Sequence, residues 1–250
     1  MTTKEAALAA SSWPSGWAMW DRLYAWAREY IPRAPEEVRG VAVENAMEVD
    51  EPRRSAVERA GFWMVRIENH MRIDLDTEPP AAEWPAAICV RSADMEQDLP
   101  SMVAASEEAF RDHWGYVEEP YEQALENWQS WIGSLGETLD PSLWLIAHDG
   151  DEIAGLGLFS TRVADDLTRS YVESLSVRLA YRKRGVALAL LRHGFGEFHR
   201  RGFEAVELDM DSENLTGALR LYERAGMRVT RRTISYEKVL RDGEDLVKRE

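Results

Sequence analysis

The stretch YVESLSVRLAYRKRGVALALL, residues 171–191, decides how the chain folds. Its first half alternates apolar and polar residues as a strand does, and its second half carries apolar residues at helical spacing. Between the two halves, Arg182, Lys183 and Arg184 stand directly before Gly185. A strand that passes through such a turn into a helix aims backbone N–H groups and the positive helix end at one point. The stretch predicts a phosphate-binding turn, although a solvated basic helix start has the same composition.

The rest of the chain contrasts with this basic turn. Its 250 residues carry a formal net charge of −15, which argues against nucleic acid and against an anionic membrane surface as general partners. Residues 92–152 hold Arg111 as their only Lys or Arg beside 15 Asp and Glu, whereas residues 178–202 hold seven Lys and Arg beside Glu197 alone. One region therefore suits a cation and the other an anion.

Signals for redox chemistry, metal binding and export are weak. The single Cys89 excludes an internal disulfide, and its apolar setting AAICVRS predicts a buried strand. No apolar run approaches membrane-spanning length and the start MTTKEAALAASSWPSG does not resemble a secretory signal, so we expect a cytoplasmic protein. No metal is expected, because four of the histidines show no metal-site pattern: His113, His148, His193 and His199.

Proline clustering divides the chain into segments. We predict a first part over residues 1–78, a linker over 79–87, a larger part over 88–240 and a charged tail over 241–250. The larger part has the predicted order β-α-α-β-β-β-α-β-α-β-β. This order indicates an α/β (α+β) fold with a mixed central sheet flanked by helices.

Cap and turn residues mark the boundaries of these elements. Asp94 is the expected cap of the first helix of the larger part, and Asp149-Gly150 is the signal for a hairpin. Asn214 is the expected cap of the last helix, which Gly226 closes. The segment MRVTRRTISYEKVL, residues 227–240, reads as a final pair of strands.

An internal repeat links the two parts. ERAGFWMVRIENHMRIDL, residues 58–75, parallels ERAGMRVTRRTISYEKVL, residues 223–240, and GWAMWDRLYAWARE stands where GVALALLRHGFGEF stands in the second copy. The first copy has Val57 in the place of Tyr222, and its Gly16-x-Ala18 lacks the preceding arginine. We expect a partial, degenerate repeat with a structural role only.

Two spaced motifs resemble those of the GNAT (Gcn5-related N-acetyltransferase) superfamily. Arg182-x-x-Gly185-x-Ala187 resembles its acyl-CoA-binding signature R/Q-x-x-G-x-G/A. A second family motif, N-x-x-A-x-x-x-Y-x-x-x-G-F, matches with Met in place of Phe at Asn214, Ala218, Tyr222, Gly226 and Met227. The resemblance covers about residues 88–240 and implies the GNAT fold. The layout is most similar to tandem GNATs of the mycothiol synthase type, here with a truncated N-terminal copy.

The resemblance implies a site for acetyl-CoA as cosubstrate, without a metal. In this superfamily, backbone groups of the central strand meet the pantetheine arm and the thioester, and the glycine turn meets the pyrophosphate. A backbone N–H near Val177 would stabilise the oxyanion. The matching cofactor-binding positions are Leu175, Ser176, Val177, Arg182, Lys183, Arg184, Gly185, Val186, Ala187 and Asn214.

The resemblance also implies which residues take part in the chemistry. Tyr222 would protonate the departing CoA thiolate, although its helical spacing alone is typical of a core aromatic. Glu173 would deprotonate the amine through water, and Asp209 on the next strand is the alternative base. Strand alternation predicts that the side chains of Glu173 and Val177 share one face of the sheet.

Residues 94–134 would shape the acceptor pocket. Their deficit of cations favours a positively charged amine, although an acidic solvated surface has the same composition. Aromatic residues of this region would either line the pocket or pack the helices: Trp114, Tyr116, Tyr121, Trp128 and Trp131.

The predicted function is acetyl transfer from acetyl-CoA to a primary amine of a small molecule or peptide, by direct attack in a ternary complex. One alternative is a non-catalytic CoA-binding regulatory or scaffold protein, because the first copy is incomplete. Another is an acetyltransferase similar to mycothiol synthase. A homodimer that pairs exposed sheet edges is compatible with the incomplete first copy.

Overall fold

The computed structural model describes residues 39–113, 116, 118–161, 166–212 and 217–243. The described residues form eight strands and five α-helices, which confirms the predicted mixed α/β class. The elements are β1 (Gly40–Met47), α1 (Glu51–Arg59), β2 (Trp63–Asp74), β3 (Ile88–Ser92), α2 (Leu99–Phe110), α3 (Tyr121–Leu135), β4 (Leu139–Asp149), β5 (Glu152–Ser160), β6 (Arg169–Val177), α4 (Val186–Arg200), β7 (Ala205–Asp211), α5 (Ala218–Arg224) and β8 (Arg228–Arg241).

The chain forms two compact units, and β2 and β8 each contribute residues to both of them. The described residues of the smaller unit are 39–68 and 231–243, and those of the larger unit lie within 69–230. The larger unit has the strand order β2-β7-β6-β5-β4-β3. Strands β3 to β6 pair antiparallel, whereas β6 and β7 pair parallel, so its sheet is mixed.

Apolar residues cover both faces of the sheet in the larger unit. On one face, α4 and α5 pack on a cluster that includes Phe159, Leu190 and Leu208. On the other face, α2 and α3 pack on a second cluster around Trp144, whose indole stacks on Trp131 with the ring centroids 5.3 Å apart. We call these the α4 face and the α2 face.

The smaller unit is built from β1, α1 and β8. Strand β1 pairs antiparallel with β8, and α1 packs its buried Val57 in a cluster with Ile234 and Tyr236. The order β1-α1-β2 repeats the order β7-α5-β8, and both ERAG sequences end in a left-handed glycine, Gly61 or Gly226. The partial repeat stays a prediction, and its upstream echo at residues 16–29 lies outside the described residues.

Two predictions about strands are wrong. Cys89 is exposed instead of buried, because β3 is the last strand in the order of this sheet and is covered poorly. The expected strand pair over residues 227–240 is one continuous strand, β8. No Gly, Pro or Asn interrupts its fourteen residues, so no turn divides it.

The helix boundaries differ from the sequence predictions in detail. Asp94 does not cap α2, because its carboxylate accepts hydrogen bonds from the N–H groups of Glu96 and Gln97 in a preceding turn. The N-cap position belongs to Asp98. The Asp149-Gly150 hairpin is confirmed between β4 and β5. The predicted cap Asn214 lies outside the described residues.

Candidate active site

Strands β6 and β7 separate in the middle of the sheet. Their parallel pairing extends only from Arg169 beside Ala205 to Tyr171 beside Glu207. Beyond this point, residues 172–177 of β6 stay paired with β5 but have no partner on the β7 side among the described residues. The sheet therefore opens at its centre, and the opening gives access to the unpaired backbone edge of β6.

Tyr171 bridges the two strands at the point where they separate. Its hydroxyl donates to Oδ2 of Asp209 at 2.9 Å and accepts from the backbone N–H of Asp209 at 3.0 Å. Burial, followed by the nearby charge of Asp209, raises the pKa of the Tyr171 phenol well above its usual value. The phenol thus stays neutral. Its oxygen accepts the hydrogen bond from the Asp209 N–H where the backbone pairing of β6 and β7 has ended.

Glu173 faces the opening on the α2 face, and not on the face of Val177 as predicted. The β5–β6 register shifts between Leu158 and Phe159, so that one extra residue is accommodated in β6 and the alternation reverses. The carboxylate of Glu173 accepts a 2.7 Å hydrogen bond from Ser160 on the α2 side, whereas Val177 packs on the α4 face. The predicted base and the predicted thioester contact therefore lie on opposite faces.

Asp209 lies on the α2 face as well, across the opening from Glu173. Tyr171 pairs with Glu207, so the next residues on the same face of the two strands are Glu173 and Asp209. The side chain of Asp209 is 43% exposed. It accepts a hydrogen bond from Tyr171 at one oxygen, and its other oxygen lies 2.9 Å from Nδ1 of His70.

His70 on β2 is absent from the predicted site, yet it contacts two acidic residues of β7. Its Nδ1 meets Asp209, and its Nε2 lies 3.3 Å from the buried Glu207. The alternation of polar His70, Arg72 and Asp74 along β2 is visible in the sequence and indicates one polar face. It does not reveal that β7 is the neighbouring strand.

The basic turn before α4 presents free backbone donors. Lys183 and Gly185 both have positive φ, 61° and 93°, and a left-handed lysine is strained enough to suggest a functional constraint. Among the described residues no acceptor is seen for the N–H groups of residues 183–187. Alternating conformations of this kind form concavities that bind anions. The side chains of Lys183 and Arg184 are exposed beside it.

Arg182 differs from its neighbours, because its side chain is engaged with the protein. The guanidinium holds Asp112 through two hydrogen bonds, of 2.5 and 2.9 Å, and donates to the carbonyl oxygens of Ala109 and Val177. Arg178 makes a parallel connection to Glu108 at 2.7 Å. These contacts tie the C-terminal end of α2 to the end of β6.

The remaining predicted cofactor positions lie where β6 ends and α4 begins. Leu175 and Val177 pack on the α4 face, and Ser176 is buried. The Ser176 carbonyl lies so close to Gly155 that a Cβ there would stand 2.8 Å from it. Val186 is buried behind the turn, and Ala187 follows it in the first turn of α4.

Tyr222 approaches from the α4 face on helix α5. Its ring packs on the apolar cluster that Leu175 and Val177 also contact. Its hydroxyl makes no hydrogen bond with any described residue. Burial alone raises the pKa of Tyr222 to about 12, so the phenol is neutral and its proton is available.

The aromatic residues predicted for the acceptor pocket differ in their surroundings. Trp128 and Trp131 pack in the core of the α2 face, and Tyr121 donates to a carbonyl of α2. Burial raises the pKa of Glu107, whose carboxylate also accepts a hydrogen bond from Tyr116. Trp114 lies outside the described residues.

The part of the chain that the structure describes contains neither a metal-binding cluster nor a helix that could span a membrane. No cluster there of three or more His, Cys, Asp or Glu side chains has a metal-binding arrangement. The same part has no helix with the length and apolar character needed to span a bilayer.

This mixed α/β domain, with an anion-binding turn beside an opening in its sheet, resembles known proteins in sequence and in fold. The sequence profile described as the Acetyltransferase (GNAT) family matches residues 100–227. The crystal structure of a GCN5-related N-acetyltransferase from Sphaerobacter thermophilus is 34% identical, with a TM-score of 0.78, over 91% of this chain and 69% of that chain. The chain therefore belongs to the GNAT family of acetyltransferases, as the two sequence motifs predicted.

Two further solved structures share the fold at low identity. A tandem GNAT protein from the clavulanic acid biosynthesis pathway has a TM-score of 0.66 at 13% identity, over 91% of this chain and 70% of that chain. A functionally unknown conserved protein from Staphylococcus epidermidis has a TM-score of 0.58 at 12% identity, over 90% and 81%. No curated protein sequence matches significantly. The mycothiol synthase type and the truncated copy stay predictions.

Proposed function

We propose that this chain transfers the acetyl group of acetyl-CoA to a primary amine of a small molecule or peptide, by direct attack in a ternary complex. The observation that carries the proposal is the opening between β6 and β7. Tyr222 packs on the same α4-face cluster as Leu175 and Val177 of β6, and Glu173 and Asp209 lie on the α2 face. This arrangement supports a role for Tyr222 as proton donor on one face and for a carboxylate as proton acceptor on the other.

The residues around the opening fit acetyl-CoA. The free N–H groups of residues 183–187, with the cations of Lys183 and Arg184, suit a pyrophosphate. The unpaired edge of β6 over residues 172–177 suits the amides of a pantetheine arm, which would add to the sheet like a strand. The side chain of Arg182 anchors the turn through its hydrogen bonds to Asp112, Ala109 and Val177. When bound, acetyl-CoA supplies an activated acyl group as a thioester.

Glu173 is the better placed base of the two carboxylates. Each oxygen of Asp209 already has a hydrogen-bonding partner, whereas only the Ser160 donor reaches Glu173 among the described residues. Glu173 would take one proton from the acceptor ammonium, through water. The neutral amine then attacks the thioester carbonyl and forms the C–N bond, and the C–S bond breaks when the resulting oxyanion collapses.

Tyr222 would complete the transfer on the other face. Its phenol gives its proton to the departing thiolate, and the proton that leaves the new amide nitrogen restores the phenol. A backbone N–H near Val177 would stabilise the oxyanion that exists between the attack of the amine and the departure of the thiolate. No protein nucleophile takes part, since the exposed Cys89 lies on β3, and β4 and β5 separate it from β6.

The acceptor is expected to be cationic. Glu173 and Asp209 line the opening, and the neighbouring segment of α2 and α3 holds an excess of acidic residues. A cytoplasmic enzyme that binds neither nucleic acid nor membrane agrees with the net charge of −15.

The direct test follows thiol release from acetyl-CoA with a panel of polyamines, amino sugars, amino acids and peptides. We expect consumption with at least one amine, and a fall in kcat of about 10²-fold or more in Glu173→Gln. Glu137→Gln is the control, because Glu137 is exposed in the turn before β4. Binding of acetyl-CoA without consumption of any amine would favour the regulatory or scaffold alternative.

A further inference from the structure

Two buried side chains, His70 and Glu207, lie close to Asp209 or to each other. His70 is 5% exposed and Glu207 is 3% exposed, whereas the Asp209 side chain is 43% exposed at the opening. Glu207 lies 3.3 Å from Nε2 of His70 and 3.3 Å from a guanidinium nitrogen of both Arg72 and Arg169. The two arginines compensate the buried charge of Glu207 and hold it in place.

The carboxylate of Asp209 determines that Nδ1 of His70 carries a proton. A carboxylate oxygen only accepts hydrogen bonds, so the 2.9 Å contact requires a proton on Nδ1 of His70. Glu207 lies 3.3 Å from the other ring nitrogen, Nε2. The Asp209 carboxylate is thus held at one oxygen by His70 and at the other by Tyr171.

We propose that His70 is a positioning residue that holds Asp209 at the opening, where Asp209 binds the positive charge of the acceptor. The proposal rests on the acetyl transfer proposed above and names the recognition of its substrate. An exposed carboxylate with both oxygens held keeps one orientation, which lowers the entropy lost when a cation binds. His70 precedes the family match at residues 100–227, so a strand outside that match contributes to the site.

Two substitutions separate positioning from packing. The amide nitrogen of an asparagine reaches the place of Nδ1, and that of a glutamine reaches the place of Nε2. His70→Asn therefore keeps the donor to Asp209, whereas His70→Gln keeps only the contact with Glu207. Spermidine and glucosamine serve as acceptors, and Asp209→Asn removes the charge. His148→Gln serves as control, because His148 lies near the end of β4.

The expected result is a split between the two variants. His70→Gln should lower kcat/KM for the acceptor about 10- to 100-fold, and His70→Asn should stay within about threefold of the wild type. The KM for acetyl-CoA should change less than about twofold in both variants. Equal losses in His70→Asn and His70→Gln, or equal rises in both KM values, would overturn the proposal, because packing alone predicts them.

A readout without turnover distinguishes this proposal from the proposed function. Nitrogen-15 NMR of the imidazoles shows directly which ring nitrogen of His70 carries a proton. We expect a protonated Nδ1 whose signal shifts in Asp209→Asn; a bare Nδ1, or no shift, overturns the positioning contact. If the wild type consumes no acetyl-CoA with any amine, the proposed function fails, and the NMR result alone decides the contact.

Discussion

At the scale of single residues, the Tyr222 hydroxyl is available for chemistry because it serves no structural role among the described residues. Tyr222→Phe should lower kcat about 10²- to 10⁴-fold, since the departing thiolate loses its proton donor. The thermal midpoint and the KM for acetyl-CoA should change little, because no hydrogen bond is lost. Steady-state kinetics and a melting curve check both statements. Full activity in Tyr222→Phe would exclude the tyrosine as the acid.

The pH profile gives a second check on Tyr222. Its pKa is raised to about 12, so the protonated, active form persists throughout the accessible pH range. We predict that kcat shows no loss from tyrosine ionisation as the pH rises from about 7 to about 10, where an ordinary tyrosine begins to ionise. A fall in kcat that disappears in Tyr222→Phe would contradict this.

The pair of Arg182 and Asp112 makes stability depend on pH. Hydrogen bonding and charge from Arg182 lower the pKa of Asp112, so the folded state favours the carboxylate. The stabilisation is present above the unfolded pKa of about 4 and is lost as the pH falls through the lower folded pKa. Asp112→Asn should cost about 0.5–1 kcal/mol of unfolding free energy at neutral pH, because the pair is partly exposed.

The measurement for this pair is urea unfolding at several pH values. The difference between wild type and Asp112→Asn should shrink toward zero at a pH below about 3, and the exposed Asp76→Asn should behave like the wild type throughout. A difference that stays constant down to low pH would show that the ion pair does not contribute.

The sequence predicts only some of the site residues, for a physical reason. The glycine turn and the tyrosine helix are local patterns, so their spacing is readable in the chain. The partners of Arg182 and His70 are not readable, because Asp112 lies 70 positions from Arg182 and Asp209 lies 139 positions from His70. Such pairs depend on the strand order, and no local spacing encodes it.

At the scale of elements, the contact of α4 with β5 depends on one glycine. A Cβ on Gly194 would overlap the ring of Phe159, whereas a Cβ on Gly196 in the same helix would meet nothing within 4 Å. Gly194→Ala should lower the unfolding free energy by about 1–3 kcal/mol through overpacking. Gly196→Ala should raise it by about 0.5–1 kcal/mol, because alanine favours the helix. Denaturant unfolding of both variants that gave equal free energies would contradict this packing.

The basic turn before α4 permits a similar comparison. Gly185 and Gly150 both have positive φ, 93° and 58°, and the nearest atom to an added Cβ at Gly185 is 4.0 Å away. Alanine at either position strains the backbone by about 1 kcal/mol. Only Gly185→Ala should also weaken acetyl-CoA binding, which calorimetry measures as a Kd raised about tenfold or more. Unchanged affinity in Gly185→Ala would place the pyrophosphate elsewhere.

Elements were more predictable than their irregularities. The hairpin at Gly150 and the long helix α4 follow from turn signals and apolar spacing. The bulge that turns Glu173 to the α2 face was not predictable, because strict alternation was the only available rule and the shift arises from pairing with β5. The prediction that Cys89 is buried was wrong for a similar reason, since the edge position of β3 depends on the strand order of the sheet.

At the scale of the whole molecule, the first part of the chain cannot be purely structural if the proposal for His70 holds. Residues 69–74 of β2 belong to the larger unit, and deleting residues 1–80 would remove His70 as well. We therefore expect the deletion to impair acceptor turnover even where the remaining protein is soluble. The homodimer stays a prediction, which sedimentation at micromolar concentration checks.

The most direct measurement of the central claim is mass spectrometry of protein and amine after incubation with acetyl-CoA. We predict that the amine gains one acetyl group, that free CoA appears in equal amount, and that the protein keeps its mass with and without the amine. An acetylated protein that then acetylates the amine would contradict direct attack at the opening between β6 and β7. Acetyl-CoA left intact beside every amine would contradict the transferase itself.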